Sequence, residues 1–402
     1  MPAVKTRKIV PAARTRGIRY AIRDILAVAD EAKAAGRDML YLNVGDPNIF
    51  DFAPPRHVIE DAYSAMLKNK LGYASSSGIP ESLGAVRRYA AKKGITNIQH
   101  VYVTTGCSEA IDLGLSALVN PGENVLTPTP GYPLYTAILS KLAAENRPYY
   151  LDEASGWTPD LSDLRSKIDE KTRALVLINP NNPTGSLYPR ESLEAVISLA
   201  AEHGIVVFSD EIYDQLIFDG KQHVSTAALS AETPVLTFNG LSKSYVVPGF
   251  RMGWGIVSGP ADMLDDYCEA IRRMERARLS ANHPEQYAVT GALEGDQSNL
   301  HDMVKRLQRR RDVTVEGLNA IPGISCVKPE GAFYAFPKID LGIPDDQFCA
   351  EVIRETGVVI VPGSGFGQRP GTHHFRVVFL PPEEILHKAF DRIASIAKRY
   401  RK

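Results

Sequence analysis

Ala174-Leu-Val-Leu-Ile-Asn-Pro-Asn-Asn-Pro-Thr-Gly185 runs from a continuous apolar stretch straight into a turn of asparagines, prolines and glycine. The pattern returns in Ile205-Val-Val-Phe-Ser-Asp-Glu-Ile-Tyr213 and again in Val235-Leu-Thr-Phe-Asn-Gly-Leu-Ser-Lys243. Short apolar runs rich in β-branched and aromatic residues, bounded by turn residues, read as strands. Their apolar character is continuous rather than alternating, so both faces are expected to be buried, as in a parallel sheet covered by helices. An Asn, an Asp and a Lys follow the three runs, and open α/β sheets bind ligands at the carboxyl ends of their strands.

Helical spacing fills the gaps between such runs. Residues 108–119 place Ile111, Leu115 and Leu118 on one face, and residues 191–202 do the same with Leu193, Val196, Ile197 and Ala200 before a capping Gly204. Strand and helix alternate from about residue 55 to 260, which requires crossover connections and therefore an α/β fold with a mostly parallel sheet. Beyond about residue 290 the texture changes to a long charged helix over 301–318 and shorter strands at 331–336 and 375–380, an α+β lobe. Near the N-terminus, residues 24–35 read as a helix with Ile25, Val28, Ala29 and Ala32 on one side and Gly36 past its end. Residues 40–45 read as a strand broken by Asp46-Pro47. The expected division is an arm at 1–15, a small domain from 16–50 and 290–402, and a large domain at 51–289.

Size and composition agree with this. At 402 residues the chain exceeds the usual single core. With 44 % hydrophobic and 23 % charged residues and a formal net charge of -1, nothing points to nucleic acid or an anionic membrane as partner. No apolar run approaches the roughly 18 residues of a membrane span. Cys107, Cys268, Cys326 and Cys349 lack CxxC spacing, which argues against a disulfide framework and a zinc site and for a reducing, cytoplasmic setting. His373-His374 has no accompanying ligand set, so no metal is expected. Gly363-Ser-Gly-Phe-Gly367 lacks the helix and distant acid of a dinucleotide site and is expected to be a loop over the active site. Lys5, Arg7, Lys8, Arg14, Arg16, Arg19 and Arg23 all precede the first acid, Asp24. A transit peptide is one reading of this leader; an arm lying on a neighbouring subunit is the other, favoured by the lack of an apolar core or amphipathic regularity.

Lys243 carries the strongest chemical signal. A lysine placed where a buried strand runs out into a Gly/Ser turn is poorly solvated, and a desolvated amine is a nucleophile suited to forming imines. Together with NPNNPTG (179–185), SDEIY (209–213) and SKSYVVPGFRMGW (242–254), in this order, the chain resembles the fold-type I, class I aminotransferases that use pyridoxal phosphate. The resemblance runs from about Arg16 to the C-terminus. FNGLSK, RARLSANHPEQYA, VKPEGAFYAFPKID and DDQF are similar to the wording of bacterial glutamate-pyruvate (alanine) transaminases.

That resemblance implies a large domain built on a seven-stranded-type sheet and assigns the site residue by residue. Lys243 would hold the cofactor through an imine and later shuttle a proton between the substrate Cα and the cofactor C4′. Asp210 would pair with the pyridine nitrogen; adjacent strand residues face opposite ways, so Glu211 cannot join it as a glycosidase-like pair. Asn182 and Tyr213 would donate to the phenolic oxygen, and Tyr132 would stack on the ring. Cys107 and Ser108 open a helix after a strand, so their N–H groups and the Ser108 hydroxyl can meet a phosphate. Arg251 would add a bidentate charged contact, and Ser242 a hydroxyl. Tyr73 would reach the phosphate of the other subunit of a homodimer. Arg376, a guanidinium interrupting an apolar strand, is the candidate for the substrate carboxylate, which Gly45 would let approach its backbone.

The implied reaction is a ping-pong pair of half-transaminations between an L-amino acid, with alanine expected, and a 2-oxo acid such as pyruvate or 2-oxoglutarate. Dicarboxylate-specific relatives carry an arginine five residues before the Asn of a Ser-Asn-Pro segment; Ala277 stands there, between Arg276 and Arg278. Either neighbour could turn in for a distal carboxylate, or both belong to the surface. Aspartate, aromatic or branched-chain transamination and a β-lyase stay open as alternatives, because fold analogy cannot separate them. A cofactor-sensing transcription regulator would need an added DNA-binding domain, and only about 15 residues precede the matching region.

Overall fold

The structure is a computed structural model and describes residues 8–18 and 25–400. Its centre is an eight-stranded sheet, numbered here in chain order: β1 Ile98–Thr105, β2 Asn124–Thr129, β3 Glu145–Asp152, β4 Thr158–Pro159, β5 Thr172–Ile178, β6 Val206–Asp210, β7 Val235–Gly240 and β8 Met252–Ser258. The spatial order is β1-β8-β7-β6-β5-β2-β3-β4. β7, β6, β5, β2 and β3 run parallel, while β8 lies antiparallel between β7 and β1 and the two-residue β4 closes the edge antiparallel to β3. Seven full strands therefore match the expected sheet.

Alternation along each strand divides two cores. In β5, Leu175 and Leu177 join a cluster with Ala85, Val86, Leu193, Val196 and Ala200, residues of helices Pro80–Lys92 and Arg190–His203. Ala174, Val176 and Ile178 point the other way, into a cluster with Ala110, Ile111, Leu115, Leu139 and Ile271 of helices Cys107–Leu118, Leu134–Leu142 and Ala261–Ala277. A strand covered on both faces has no polar side to display, which is why the runs read as continuous. Gly204 ends its helix in the left-handed conformation, φ 62°.

A third cluster joins Leu40, Leu42 and Phe52 to residues between Leu300 and Ala397. Leu40–Tyr41 pairs in parallel with Val358–Val359, and Phe375–Val378 pairs antiparallel with both Tyr334–Ala335 and Val361–Pro362. Ion pairs reinforce the join: Arg310 grips Asp51 at 2.7 Å, and the buried Arg311 meets Asp219 at 2.7 Å. The long helix extends over Ser298–Asn319.

Several elements are shorter than expected. The strand expected at 40–45 stops at Tyr41, because the Asn43 carbonyl turns to accept from Arg376 and Asp46 caps a 3-10 turn over Pro47–Ile49. The strand expected at 331–336 narrows to Tyr334–Ala335, since Ala332 is left-handed (φ 58°) and its N–H bonds to the Leu216 carbonyl. The first helix begins at Leu26, and its expected start at Asp24 lies outside the described residues. In the basic arm, the 3-10 turn Ala13–Gly17 lies on helix Leu134–Leu142 of the same chain, where the Ser140 hydroxyl donates to the Arg14 carbonyl at 2.9 Å. Gly17 makes this approach possible: a Cβ there would press on the Ser140 hydroxyl oxygen. Residues 1–7 and 19–24 of the leader lie outside the described residues. Among the described residues no helix is long and apolar enough to cross a membrane, and no cluster of potential metal ligands occurs.

Candidate active site

Strand ends converge at the carboxyl edge of the sheet. β6 ends on Asp210, β7 leads into the turn bearing Ser242 and Lys243, and β5 leads into the 179–185 turn bearing Asn182. β1 ends at Thr105, where Gly106 (φ 82°) swings the chain into helix Cys107–Leu118. Between them lies a cavity of about 420 Å³, lined by Gly45, Cys107, Ser108, Tyr132, Asn182, Asp210, Tyr213, Ser242, Lys243, Arg251 and Arg376. That volume falls within the roughly 300–1,000 Å³ of small-molecule sites.

One end of the cavity is built for an anion. The first N–H groups of a helix lack intrahelical acceptors and carry the positive end of its dipole, and Cys107 and Ser108 occupy that start. Arg251, itself left-handed at φ 54°, donates to the Ser108 hydroxyl at 3.1 Å and to the Pro248 carbonyl at 3.2 Å. Two glycines make room for this arrangement. A Cβ on Gly106 would collide with the Arg251 guanidinium, and one on Gly253 would collide with the Cys107 backbone. This cradle, with its N–H groups, hydroxyls and permanent cation, fits the phosphate of pyridoxal phosphate.

The centre holds two groups whose charges burial opposes. Lys243 donates to the Gly45 carbonyl at 2.8 Å. Burial pushes its amine down to about 8, with Arg376 and Arg251 adding to the effect and Asp46 and Asp210 resisting it. Burial likewise pushes the Asp210 carboxyl up to about 6, against the Ile212 N–H, the Tyr135 hydroxyl and Lys243. An amine and an acid poised this way can bracket a ring that is cationic on the acid's side and bears a carbonyl on the amine's side. Glu211, the next residue, faces the opposite side of the sheet and accepts from Ser225 and Ser209 at 2.9 Å. Burial raises it to about 7, and burial lowers the neighbouring His223 to about 4.

At the far end Arg376 is buried, 1 % exposed. It donates to the Asn182 amide oxygen at 3.0 Å and to the Asn43 carbonyl at 2.5 Å. The Tyr334 and Phe366 rings lie on it, each 4.6 Å from the guanidinium carbon. Gly45 closes this end, and a Cβ there would run into the Tyr334 hydroxyl. Phe366 comes from the 3-10 turn Gly363–Phe366, so the glycine-rich segment does pack against the site.

The family model for aminotransferase class I and II matches residues 37–393. The chain belongs to that family. Pyridoxal phosphate is the cofactor of these enzymes, and the cradle, the amine and the acid described above fit it. This aminotransferase is 38 % identical to an alanine aminotransferase of Mycobacterium tuberculosis over 99 % of its own length and 94 % of the relative. It is 37 % identical to the glutamate-pyruvate aminotransferase AlaA of Escherichia coli K12 over 98 % of each chain. The solved alanine aminotransferase of Pyrococcus furiosus superposes with a TM-score of 0.93 at 40 % identity, covering 97 % of this chain and all of that one.

Not every residue marked in the sequence lies in the cavity of the aminotransferase. Tyr73 stands on the surface, 84 % exposed. Neither candidate for a distal carboxylate turns inward. Arg276 pairs with Glu269 at 2.7 Å, while Arg278 is held by Glu109 at 2.9 Å and by the Ser76 and Val103 carbonyls at 3.0 and 2.7 Å. Arg278 thereby braces Glu109, whose carboxylate accepts from the Thr105 N–H at 2.6 Å where β1 gives way to the helix. His374 stacks flat on Phe336 at 4.9 Å, and its ring nitrogens meet Gln368 at 3.1 Å and Glu153 at 3.3 Å. Two residues escaped the sequence reading. Tyr334, whose hydroxyl meets that of Tyr213 at 2.9 Å, sits inside a segment read only as a strand. Tyr135, bonded to Asp210 at 3.2 Å, follows Tyr132 by three residues, a weak signal that nothing in the chain separates from ordinary packing.

Proposed function

We propose that this enzyme moves the amino group between L-alanine and a 2-oxo acid such as 2-oxoglutarate, as a cytoplasmic homodimer with shared sites. The observation carrying the reading is one cavity in which the Lys243 amine, the Asp210 carboxyl and the Arg376 guanidinium face a common space. When bound, pyridoxal phosphate supplies a carbonyl carbon that exchanges amines and a ring that takes up the electron pair left at the substrate Cα.

Each side chain has a part in that chemistry. Lys243 tethers the cofactor and, once the substrate amine displaces it, moves the proton between Cα and C4′. An amine held at about 8 is part neutral near physiological pH and can accept that proton. Asp210 would pair with the ring nitrogen. Opposite charges about 4 Å apart at an effective dielectric near 20 gain roughly 4 kcal/mol, about three pKa units, enough to draw the carboxyl back to its anion and keep the ring protonated. Asn182, its amide oxygen already committed to Arg376, offers its NH₂ end to the phenolic oxygen, and Tyr213 offers its hydroxyl. Tyr132, which lines the cavity, would cover the ring face. Cys107, Ser108, Ser242 and Arg251 bind the phosphate, and Arg376 with the open backbone at Gly45 binds the substrate carboxylate.

The homodimer is supported by an apolar surface that a lone chain would leave in water: Tyr63, Leu67 and Leu71 are 59 %, 70 % and 62 % exposed beside Tyr73. Tyr73 then completes the partner's phosphate site. The cytoplasmic setting is supported by four cysteines that form no disulfide. Alanine is supported by the names of the relatives and by the apolar Leu26 and Val44 in the lining. Mixing the holoenzyme with single amino acids and following its visible absorbance tests this. Alanine and glutamate are expected to change the spectrum most. A larger response to aspartate or an aromatic amino acid refutes the assignment, and steady pyruvate release from a β-substituted amino acid without any oxo acid marks a lyase.

A further inference from the structure

Asp210 is 3 % exposed, so the donors that reach it decide whether it serves as an anion. Among the described residues each of its oxygens has one hydrogen bond: the Ile212 N–H to Oδ1 at 3.3 Å and the Tyr135 hydroxyl to Oδ2 at 3.2 Å. Tyr135 lies on helix Leu134–Leu142 and is 1 % exposed. Its ring belongs to the apolar cluster of Ile178, Phe208 and Phe238 beneath the sheet's carboxyl edge. A hydroxyl in such surroundings would be costly without a partner, and here it points at Asp210 on the cavity floor.

We propose that Tyr135 is a positioning residue, whose hydroxyl orients the Asp210 carboxylate and favours its anion opposite the cofactor's ring nitrogen. This rests on the role given to Asp210 above. The other titratable groups facing Asp210 or Tyr135 are Lys243, Cys107, Tyr213 and Tyr132. Burial raises the Cys107 thiol and the Tyr213 phenol, so both face the acid uncharged. Lys243 supports the anion only while its amine is charged, and that amine changes partner in every turnover. The Tyr135 dipole is constant, because burial, then the nearby Asp210, keeps its phenol protonated.

The test is equilibrium binding to the full-length, cofactor-free chain by titration calorimetry. Two ligands are compared: pyridoxal phosphate and its 1-deaza analogue, in which CH replaces the ring nitrogen while aldehyde, phenol and phosphate remain. Tyr135→Phe keeps ring and volume. It is expected to weaken pyridoxal phosphate about tenfold, as for a lost hydrogen bond to a charged group, and to change analogue binding by about twofold or less. In an Asp210→Asn background the same change is expected to have no selective effect. Equal losses for both ligands would make Tyr135 a space filler and overturn the proposal, as would no loss for either. If Asp210→Asn itself leaves the preference for the nitrogen-bearing ring intact, the assigned role of Asp210 fails. If Asp210→Asn abolishes that preference and Tyr135→Phe does not, only the inference about Tyr135 fails.

Discussion

Asp210→Asn is expected to stabilise the cofactor-free chain while disabling the enzyme. Burial raises this carboxyl from the ordinary 3.8 to about 6. Between those values the native state binds more protons than the unfolded chain, so stability falls as pH rises, and the penalty is complete above about 6. A shift of about two units corresponds to about 3 kcal/mol at about 1.4 kcal/mol per unit. Asparagine carries no charge to desolvate, but it replaces one of the two oxygens that accept from Ile212 and Tyr135 by an NH₂ group, which takes back about 1 kcal/mol. The expected gain is therefore about 2 kcal/mol at pH 8 and well under 1 kcal/mol at pH 5. Trp157 and Trp254, the two tryptophans, both lie in the core of the central sheet, so urea unfolding followed by their fluorescence reports on the right part of the molecule. Saturating pyridoxal phosphate should reverse the order, because the wild type gains the ring-nitrogen pair. An asparagine variant no more stable than wild type at pH 8, or a gain that does not shrink toward pH 5, would refute the reasoning.

Other consequences are as direct. Arg376→Lys replaces a fork pressed between the Tyr334 and Phe366 rings by a point charge; KM for amino donors should rise about tenfold or more with cofactor affinity unchanged, and a parallel fall in cofactor affinity would contradict the assignment. Gly106→Ala must hold φ 82° and displace the Arg251 guanidinium. Strain of roughly 1–3 kcal/mol in this essentially glycine-only backbone region adds to the lost anion contact, so calorimetry should show cofactor binding at least about tenfold weaker. Covalent capture of pyridoxal phosphate by the cofactor-free chain, trapped with borohydride, needs the neutral Lys243 amine, so its rate should climb with pH and level off above about 8. A rate independent of pH between 6 and 9 would show that the amine is not held in this way.

Much of the site can be read along the chain because the chemistry is delivered by strand ends. A buried parallel strand announces itself as a continuous apolar run, and the residue at its carboxyl end needs no tertiary information to be located. The placement of Asp210, Lys243 and Asn182 at the cavity is legible for that reason, and Arg376 stands out as a guanidinium amid Phe375, Val377 and Val378. Arg251 and the start of the 107–118 helix follow from the same logic of charge and N–H groups. Through-space contacts behave differently. Nothing local distinguishes Tyr135 or Tyr334 from a packing tyrosine, since their partners lie 75 residues away for one and 121 for the other. The same limit applies to Arg276 and Arg278. Their charges suggest ligands, and only Glu269 and Glu109 reveal them as braces.

Local pattern thus suffices for the layered sheet, the order of its strands' polar ends and the place of the Lys243 amine among them, because hydrophobic period and turn chemistry act over a few residues. Folding in three dimensions alone sets how far those groups are desolvated, which hydroxyl stands behind the acid, where the arm lies and which arginines are spent on scaffolding. Electrostatic energies depend on burial and on distances between segments remote in sequence, and such quantities exist only once the chain has closed around them.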